Sequence, residues 1–330
     1  MVVDARFFVA FDEFFDRFSK VFNSTKEDVN SFVGIELTRD RANRKIKLTQ
    51  TEYIKKIYDH FLSTSNTKAW KTPSGTSREE ATRFESLSAP TSDEESGKMT
   101  GNDYLSLMGA LLYAACMTRI DMLYHVSHLC RLMANPSKEA YDAGLAVLSY
   151  LNQTKEIGLN YGGLDRQCID PDVSTGNRLI VHADSSFGKS PYPHGGGFVE
   201  HANAAVSGVS RKPKFAPQST WEAELAVMVL LIKEAVFAEN ILVHDLKVEL
   251  EATHVLTDSK AAYDSVRSPG ATKKSTHVER WLMFARDLYL LKKISISLVS
   301  THKMMADNMT KVVDKTKFFT CRNYQMNITE

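Results

Sequence analysis

The sequence predicts an α/β protein whose C-terminal half is a mixed sheet with helices on its faces. Three observations predict this class. From about residue 178 onward, short apolar runs alternate with amphipathic stretches in the order β-β-β-α-β-α-α-β-α, a succession that builds a helix-covered mixed sheet. A polar-tipped hairpin and a group of long helices precede it. Four acids, Asp184, Glu224, Asp258 and Asp307, fall near the ends of separate elements in the last half. Carboxylates gathered from distant parts of a chain repel one another unless a cation sits among them. Such a cluster suits a pair of Mg²⁺ ions for in-line attack on a phosphodiester.

Composition narrows the classes. A chain of 330 residues has room for two or three compact units with a proper core. Its 43% hydrophobic and 25% charged residues are ordinary for a soluble globular protein. A formal net charge of +1 gives no bulk pull towards nucleic acid, so any such contact must use local basic patches. Cys116, Cys130, Cys168 and Cys321 include no Cys-x-x-Cys pair, which argues against a disulfide framework or zinc knuckle and fits a reducing compartment. The opening MVVDARFFVAFDEFF carries charges inside its apolar run and makes a poor signal peptide. No apolar stretch approaches the roughly 18 residues of a membrane span. A soluble, intracellular protein without a membrane partner is expected.

The elements follow in order. Phe14, Phe15, Phe18 and Phe22 recur at helical spacing and predict an amphipathic helix over 12–22 that packs on a sheet. In SFVGIELTRDRANRKIKLTQ, two short apolar strands flank the polar Thr38 to Arg44 segment, a hairpin. Thr49 or Gln50 then starts a helix through Tyr53, Ile54, Ile57, Tyr58 and Phe61. Residues 63–102 are rich in Ser, Thr, Glu and Lys and read as a polar linker. Three helices follow, broken near Arg119 and at Asn135-Pro136. His125 and His128 lie one turn apart but lack a third ligand, so they read as surface or packing residues. A loop from Gly162 to Asn177 leads to RLIVHA, GGGFVEH and AAVSGVSRK as three strands. A helix capped by Ser219 or Thr220 carries Trp221, Leu225, Met228, Val229, Ile232 and Val236 on one face. Strand THVLT, a short helix from Ser259, a long one from about Thr276, strand ISISLVS and a last helix from Met304 complete the chain.

Asp184 and Asp258 each end an apolar strand. If those strands are parallel neighbours, both acids lie at the carboxyl edge, where open α/β sheets place their sites. Glu224 in the first turns of its helix and Asp307 near the start of the last one can face the same edge. Glu222 competes with Glu224, because both flank the apolar stripe of that helix.

The motifs HADSSFG, STWEAELAV, VLTDSKAA, STHVERWLMFARD and ADNMTK, in this order, resemble the ribonuclease H domain of copia-type (pseudoviral) LTR-retrotransposon reverse transcriptases. FVGIELTRD…IKLTQTEYIKKIYDHF resembles the end of the polymerase palm and the start of the thumb. YLSLMGALLYAACMTRIDMLYHVSHLCRLMANPS…AGLAVLSYLNQTKEIGLNYGG resembles the thumb-to-connection segment of the same Pol polyprotein. The resemblance covers nearly the whole chain outside the linker. It implies a partial palm and thumb over 1–62, the linker over 63–102, a helical thumb/connection over 103–165 and a ribonuclease H-like domain over 178–330.

The resemblance also implies a function. Asp184, Glu224, Asp258 and Asp307 match the family's metal-binding carboxylates, which would hold two Mg²⁺ (or Mn²⁺) ions. Glu224 is preferred over Glu222 because its E-L-A-V run matches the family pattern. The substrate would be an RNA/DNA hybrid recognised by backbone shape and 2′-hydroxyls. Arg211, Lys212, Lys214, Lys273 and Lys274 are candidate phosphate contacts, against solvated surface charge as the plain alternative. His302 resembles the mobile histidine of cellular ribonucleases H, but it stands too close to Asp307 for a catalytic role and reads as a loop residue. The rest of the Pol polyprotein is the implied partner, and the cytoplasm, a virus-like particle or the nucleus the expected location. The polymerase signature Tyr-x-Asp-Asp is absent from this chain, so no templated synthesis is expected in a primer-extension assay. Two rivals remain. An integrase or resolvase would order its acids Asp, Asp, Glu, and a decayed, inactive remnant would bind nucleic acid or serve structurally.

Overall fold

The computed structural model describes residues 8–24, 30–62, 69–90, 101–163, 166, 168–171, 173, 177–187, 193–214, 216–268 and 276–328. Helix α1 (Phe8–Ser19) is the expected aromatic helix, but none of its described side chains is buried against a sheet. Phe14 is 48% and Phe22 56% exposed; the Phe18 ring stacks on Phe14 and meets Phe22 at a tilt.

A four-stranded antiparallel sheet comes next, formed by β1 (Ser31–Phe32), β2 (Ile35–Asp40), β3 (Lys45–Thr49) and β4 (Leu159–Gly162) in that order. The hairpin falls where the alternation places it. Helix α2 (Thr51–Leu62) is capped from outside: the Glu36 carboxylate of β2 accepts from the backbone N–H groups of Thr51 and Glu52, each at 2.8 Å. These are orphan donors of a helix N-terminus.

Part of the expected linker is ordered helix. Ser77 and Glu80 form a capping box for α3 (Arg78–Glu85), which satisfies two orphan donors reciprocally. Phe84 of this helix is buried against the rings of His125 and His128. One apolar side chain docking on a ready-made core orders a segment whose average composition reads as solvated.

Helices α4 (Gly101–Met117), α5 (Leu123–Cys130) and α6 (Lys138–Gln153) break where expected. At the first break Arg119 is fully buried. It donates to both oxygens of Asp121 at 3.0 and 2.9 Å, and Tyr150 Oη donates to the same carboxylate at 2.6 Å. A buried charge survives only when paired and hydrogen-bonded in this way.

The second sheet holds β5 (Ile180–Ser186), β6 (His194–His201), β7 (Ala204–Arg211), β8 (Thr253–Thr257) and β9 (Ile294–Leu298). Their spatial order is β7-β6-β5-β8-β9, antiparallel across β5-β6-β7 and parallel across β5-β8-β9. This is the mixed sheet expected from the alternation. The β6–β7 turn, Ala202-Asn203, has positive φ at both residues, the geometry that matches hairpin twist. Helices α7 (Thr220–Asn240), α8 (Lys260–Arg267) and α9 (Thr276–Leu290) cover one face, burying Leu225, Met228, Ile232, Val266 and Leu282 against Val181, Val199 and Val255. Helix α10 (Lys315–Met326) and α5 cover the other. There Phe198, Ala205, Met309 and Met326 join one hydrophobic cluster with Tyr104, Leu111 and Leu129. The helical part and the second sheet therefore share a core.

Candidate active site

Asp184 lies inside β5, not at its end. Pairing with β6 runs on to Ser186–His194, whereas the parallel pairing with β8 stops at His182–Leu256. Asp184 and Asp258 each stand two residues beyond that last parallel pair, at one level, Asp184 on β5 and Asp258 just past the end of β8. Sheet register, not loop accident, brings them together.

Helix α7 supplies the third acid. Ser219 is the N-cap, its side chain accepting from Glu222 N, and the Glu222 carboxylate reaches back to accept from Gln218 N at 2.7 Å. Glu222 thus secures the helix end while Glu224 turns to the sheet edge. Asp184, Glu224 and Asp258 each bring a carboxylate oxygen within 4.8 Å of the others. Asp184 and Glu224 are buried. Burial lifts the Asp184 carboxyl to about 6; Lys311 and Thr310 oppose the shift, while Asp307 and Asp258 add to it. Burial also holds Glu224 well above the usual carboxylate range, with repulsion from Asp184 and Asp258 adding and Ser185 opposing.

Asp307 is positioned differently from its expectation. The last helix begins at Lys315, behind an Asp314 N-cap, and Asp307 opens a single 3-10 turn, Asp307–Met309. Helix propagation from Met304 is lost because the Asn308 side chain pairs with Gln325, at 2.7 and 3.2 Å, inside the core. Ser210 Oγ donates to Met309 O at 2.7 Å and fixes the same turn. Asp307 lies outside the three-acid cluster. Its oxygens meet Lys311 Nζ at 2.6 Å and Lys317 Nζ at 2.9 Å, and Lys311 stands 3.7 Å from Asp184. Burial alone would depress the Lys311 ammonium, but Asp184 and Asp307 hold it above its usual value. Thr310 Oγ1 donates to Asp184 Oδ2 at 2.5 Å. Thr310, Lys311 and Lys317 escaped the reading of the sequence. The available signal was their spacing of three, four and ten from Asp307.

The three acids suit a hard divalent cation. All donors are oxygens, as Mg²⁺ and Mn²⁺ prefer. Glu224 Oε2 is buried with no hydrogen-bond partner among the described residues, a costly arrangement for an anionic oxygen unless it meets a cation.

A Pol polyprotein of the TNT 1-94 transposon of Nicotiana tabacum is 28% identical over 293 residues, covering 88% of this chain. The Ty1-ER2 Gag-Pol polyprotein of Saccharomyces cerevisiae is 27% identical over 228 residues, 66% of this chain. This chain is similar to retrotransposon Pol polyproteins. It spans 21% and 12% of the length of those two relatives. No protein-family model matches the chain. Among solved structures, the N-terminal ribonuclease H domain of Rv2228c from Mycobacterium tuberculosis aligns at TM-score 0.33 and 15% identity, covering 44% of this chain and 96% of that one.

The remaining candidates divide. Arg211 and Lys214 are exposed and line a cavity of about 200 Å³ with Lys233 and Trp281. Lys212, next along the chain, is half-buried and faces Arg131 electrostatically. Lys273 and Lys274 lie outside the described residues. His302 is exposed in a 3-10 turn. His125 and His128 are packing residues as expected. Both are buried, and His125 Nε2 meets Ser74 Oγ at 3.0 Å. No described helix is long and apolar enough to cross a membrane.

Proposed function

We propose that this chain is the ribonuclease H part of a retrotransposon reverse transcriptase and hydrolyses the RNA strand of RNA/DNA hybrids. The observation that carries the proposal is the convergence of Asp184, Glu224 and Asp258 within 4.8 Å, with the buried Glu224 Oε2 left without a hydrogen-bond partner among the described residues. Those three carboxylates would hold the divalent cation. Bound Mg²⁺ or Mn²⁺ supplies a water of lowered pKa for attack on phosphorus and stabilises the leaving 3′ oxygen. The chain's own residues do the positioning. Thr310 orients the Asp184 carboxylate through its hydroxyl, and the Glu222 cap sets the start of α7 so that Glu224 reaches the edge. On the Asp307 side, where the resemblance implies further metal coordination, Lys311 bridges Asp184 and Asp307. The order Asp, Glu, Asp, Asp, with the Glu on the helix after the third strand, separates this site from the Asp, Asp, Glu order of integrases and resolvases.

The test incubates the purified chain with an RNA/DNA hybrid and Mg²⁺ beside an Asp184→Asn variant. The proposal expects cleavage of the RNA strand by the parent and at least a hundredfold loss in the variant. Equal cleavage by both removes it, and none by either leaves the inactive-remnant reading.

A further inference from the structure

A second cavity adjoins the acids, of about 240 Å³, and both parts of the chain build it. Helix α5 and its C-terminal end contribute Tyr124, His128 and Arg131. The end of β5 contributes Phe187, β6 contributes His194, and Thr310 and Lys311 close it. It is smaller than the roughly 300–1,000 Å³ of ordinary small-molecule pockets, so it suits one group of a larger ligand.

Its charge is cationic at the mouth. Arg131 is exposed and has no carboxylate partner among the described residues. Its guanidinium contacts the His128 ring, at 2.8 Å to Nε2, and donates from Nε to His128 O at 3.1 Å. Lys212 lies close enough to Arg131 for the two cations to disfavour each other. The lining carboxylate, Glu85, accepts from Val312 N at 3.1 Å. His128 and His194 are buried and stay neutral, burial being the main cause. Phe187, 42% exposed, adds an aromatic face. Nε and one terminal nitrogen of Arg131 are taken up by His128, and the other terminal nitrogen has no partner among the described residues; an arginine donor held open in this way beside an exposed ring is the chemistry that reaches a phosphodiester and its sugar.

The cavity also shares walls with the acids. Thr310, which donates to Asp184, and Lys311, 3.7 Å from Asp184, line both. An anion seated there would lie beside the acidic site, as a phosphate of a strand passing that site must. We propose that this pocket seats a backbone phosphate of the nucleic-acid substrate, with Arg131 of the helical part as its anchor and Phe187 against the adjoining sugar. This rests on the nuclease reading above and makes the helical part a wall of the substrate groove.

The experiment measures binding, so that it can fail separately from catalysis. A labelled RNA/DNA hybrid is titrated with the full chain in Ca²⁺ by fluorescence anisotropy at several salt concentrations, for parent, Arg131→Ala and Arg131→Lys. Inorganic phosphate is titrated in parallel by calorimetry. The proposal expects Arg131→Ala to weaken hybrid binding about tenfold or more, independent of sequence. It also expects the slope of log K against log salt to fall by roughly one, the signature of one lost phosphate contact. Arg131→Lys should restore the slope but not the full affinity, because lysine lacks the planar fork. Circular dichroism melting of the exposed-site variants should match the parent. Unchanged hybrid affinity and slope in Arg131→Ala overturn the proposal even if the parent cleaves hybrids. An effect on inorganic phosphate alone overturns it in favour of a small-anion site. A parent that binds no hybrid overturns both readings.

Discussion

Gly196 shows how closely the sheet and the acid-bearing turn are fitted, and a single methyl tests it. This glycine pairs with Asp184 across β5 and β6 and with Ser210 across β6 and β7. A Cβ built on it would stand 2.3 Å from Met309 O, a backbone atom that Ser210 Oγ already holds. Ordinary carbon–oxygen contact needs about 1 Å more, and close-packed interiors do not absorb that freely. Gly196→Ala should therefore push the 307–310 turn outward by about 1 Å. Overpacking of this kind costs about 1–3 kcal/mol, and a displaced Ser210 hydrogen bond adds about 1 kcal/mol. Asp307 and Thr310 move with the turn, so the Thr310–Asp184 contact opens and cleavage should fall on the order of a hundredfold, as a misplacement of this size allows. Urea denaturation gives the stability, and hybrid cleavage gives the rate. Gly208→Ala is the control: its Cβ would meet the flexible Met309 Cε at 3.3 Å and should cost under about 1 kcal/mol. If Gly196→Ala proves as stable and active as Gly208→Ala, the close fit between β6 and the turn is wrong.

Three further outcomes follow from the same coordinates. Glu224→Gln should abolish cleavage and weaken Mn²⁺ binding by calorimetry. Glu222→Ala should keep cleavage and lose about 0.5–2 kcal/mol of stability in urea, the usual worth of a cap; the reverse pattern would exchange their roles. Asp121→Ala leaves the Arg119 charge buried and unpaired, so urea denaturation should show a loss of about 3–5 kcal/mol, and a loss under 1 would refute the pairing. His125, His128 and His194 are each pushed down to about 3, mainly by burial. A depressed folded pKa means their contribution is complete above the unfolded value near 6.5 and is lost as pH falls towards 3. Stability should drop by up to about 1.4 kcal/mol per pH unit for each histidine. Measurement in an Asp184→Asn, Glu224→Gln background removes the opposite contribution of those raised carboxyls, and a flat profile from pH 6.5 to 5 would contradict the burial.

Much of the molecule was legible as pattern. The three helices broken at Arg119 and Pro136, the hairpin of Ile35 to Thr49 and the nine elements after residue 178 all follow from spacing, because amphipathic periods and breakers are local properties. The failures share a cause. The aromatic period of α1 said that a helix forms, but not whether a surface waits for it, and Phe14 and Phe22 remain exposed. The 63–102 stretch looked solvated on average, yet Phe84 found a pocket beside His125. Periodicity near Met304 continued a helix that the Asn308–Gln325 pair interrupts from across the core.

The sequence by itself determined which acids were candidates and on which elements they ride. Helix spacing could not separate Glu222 from Glu224, because both flank one stripe of one helix, and only the resemblance preferred Glu224. Only the tertiary structure decided that Glu222 caps α7 while Glu224 joins Asp184 and Asp258, and that Lys311 stands between Asp184 and Asp307. The physical reason is that helix period and strand alternation are written within a few neighbouring residues. Convergence of charges depends on strand register and on which helix covers which face, and these are settled by contacts between residues far apart in the sequence, from Asp184 paired with Gly196 to Thr310 bonded to Asp184.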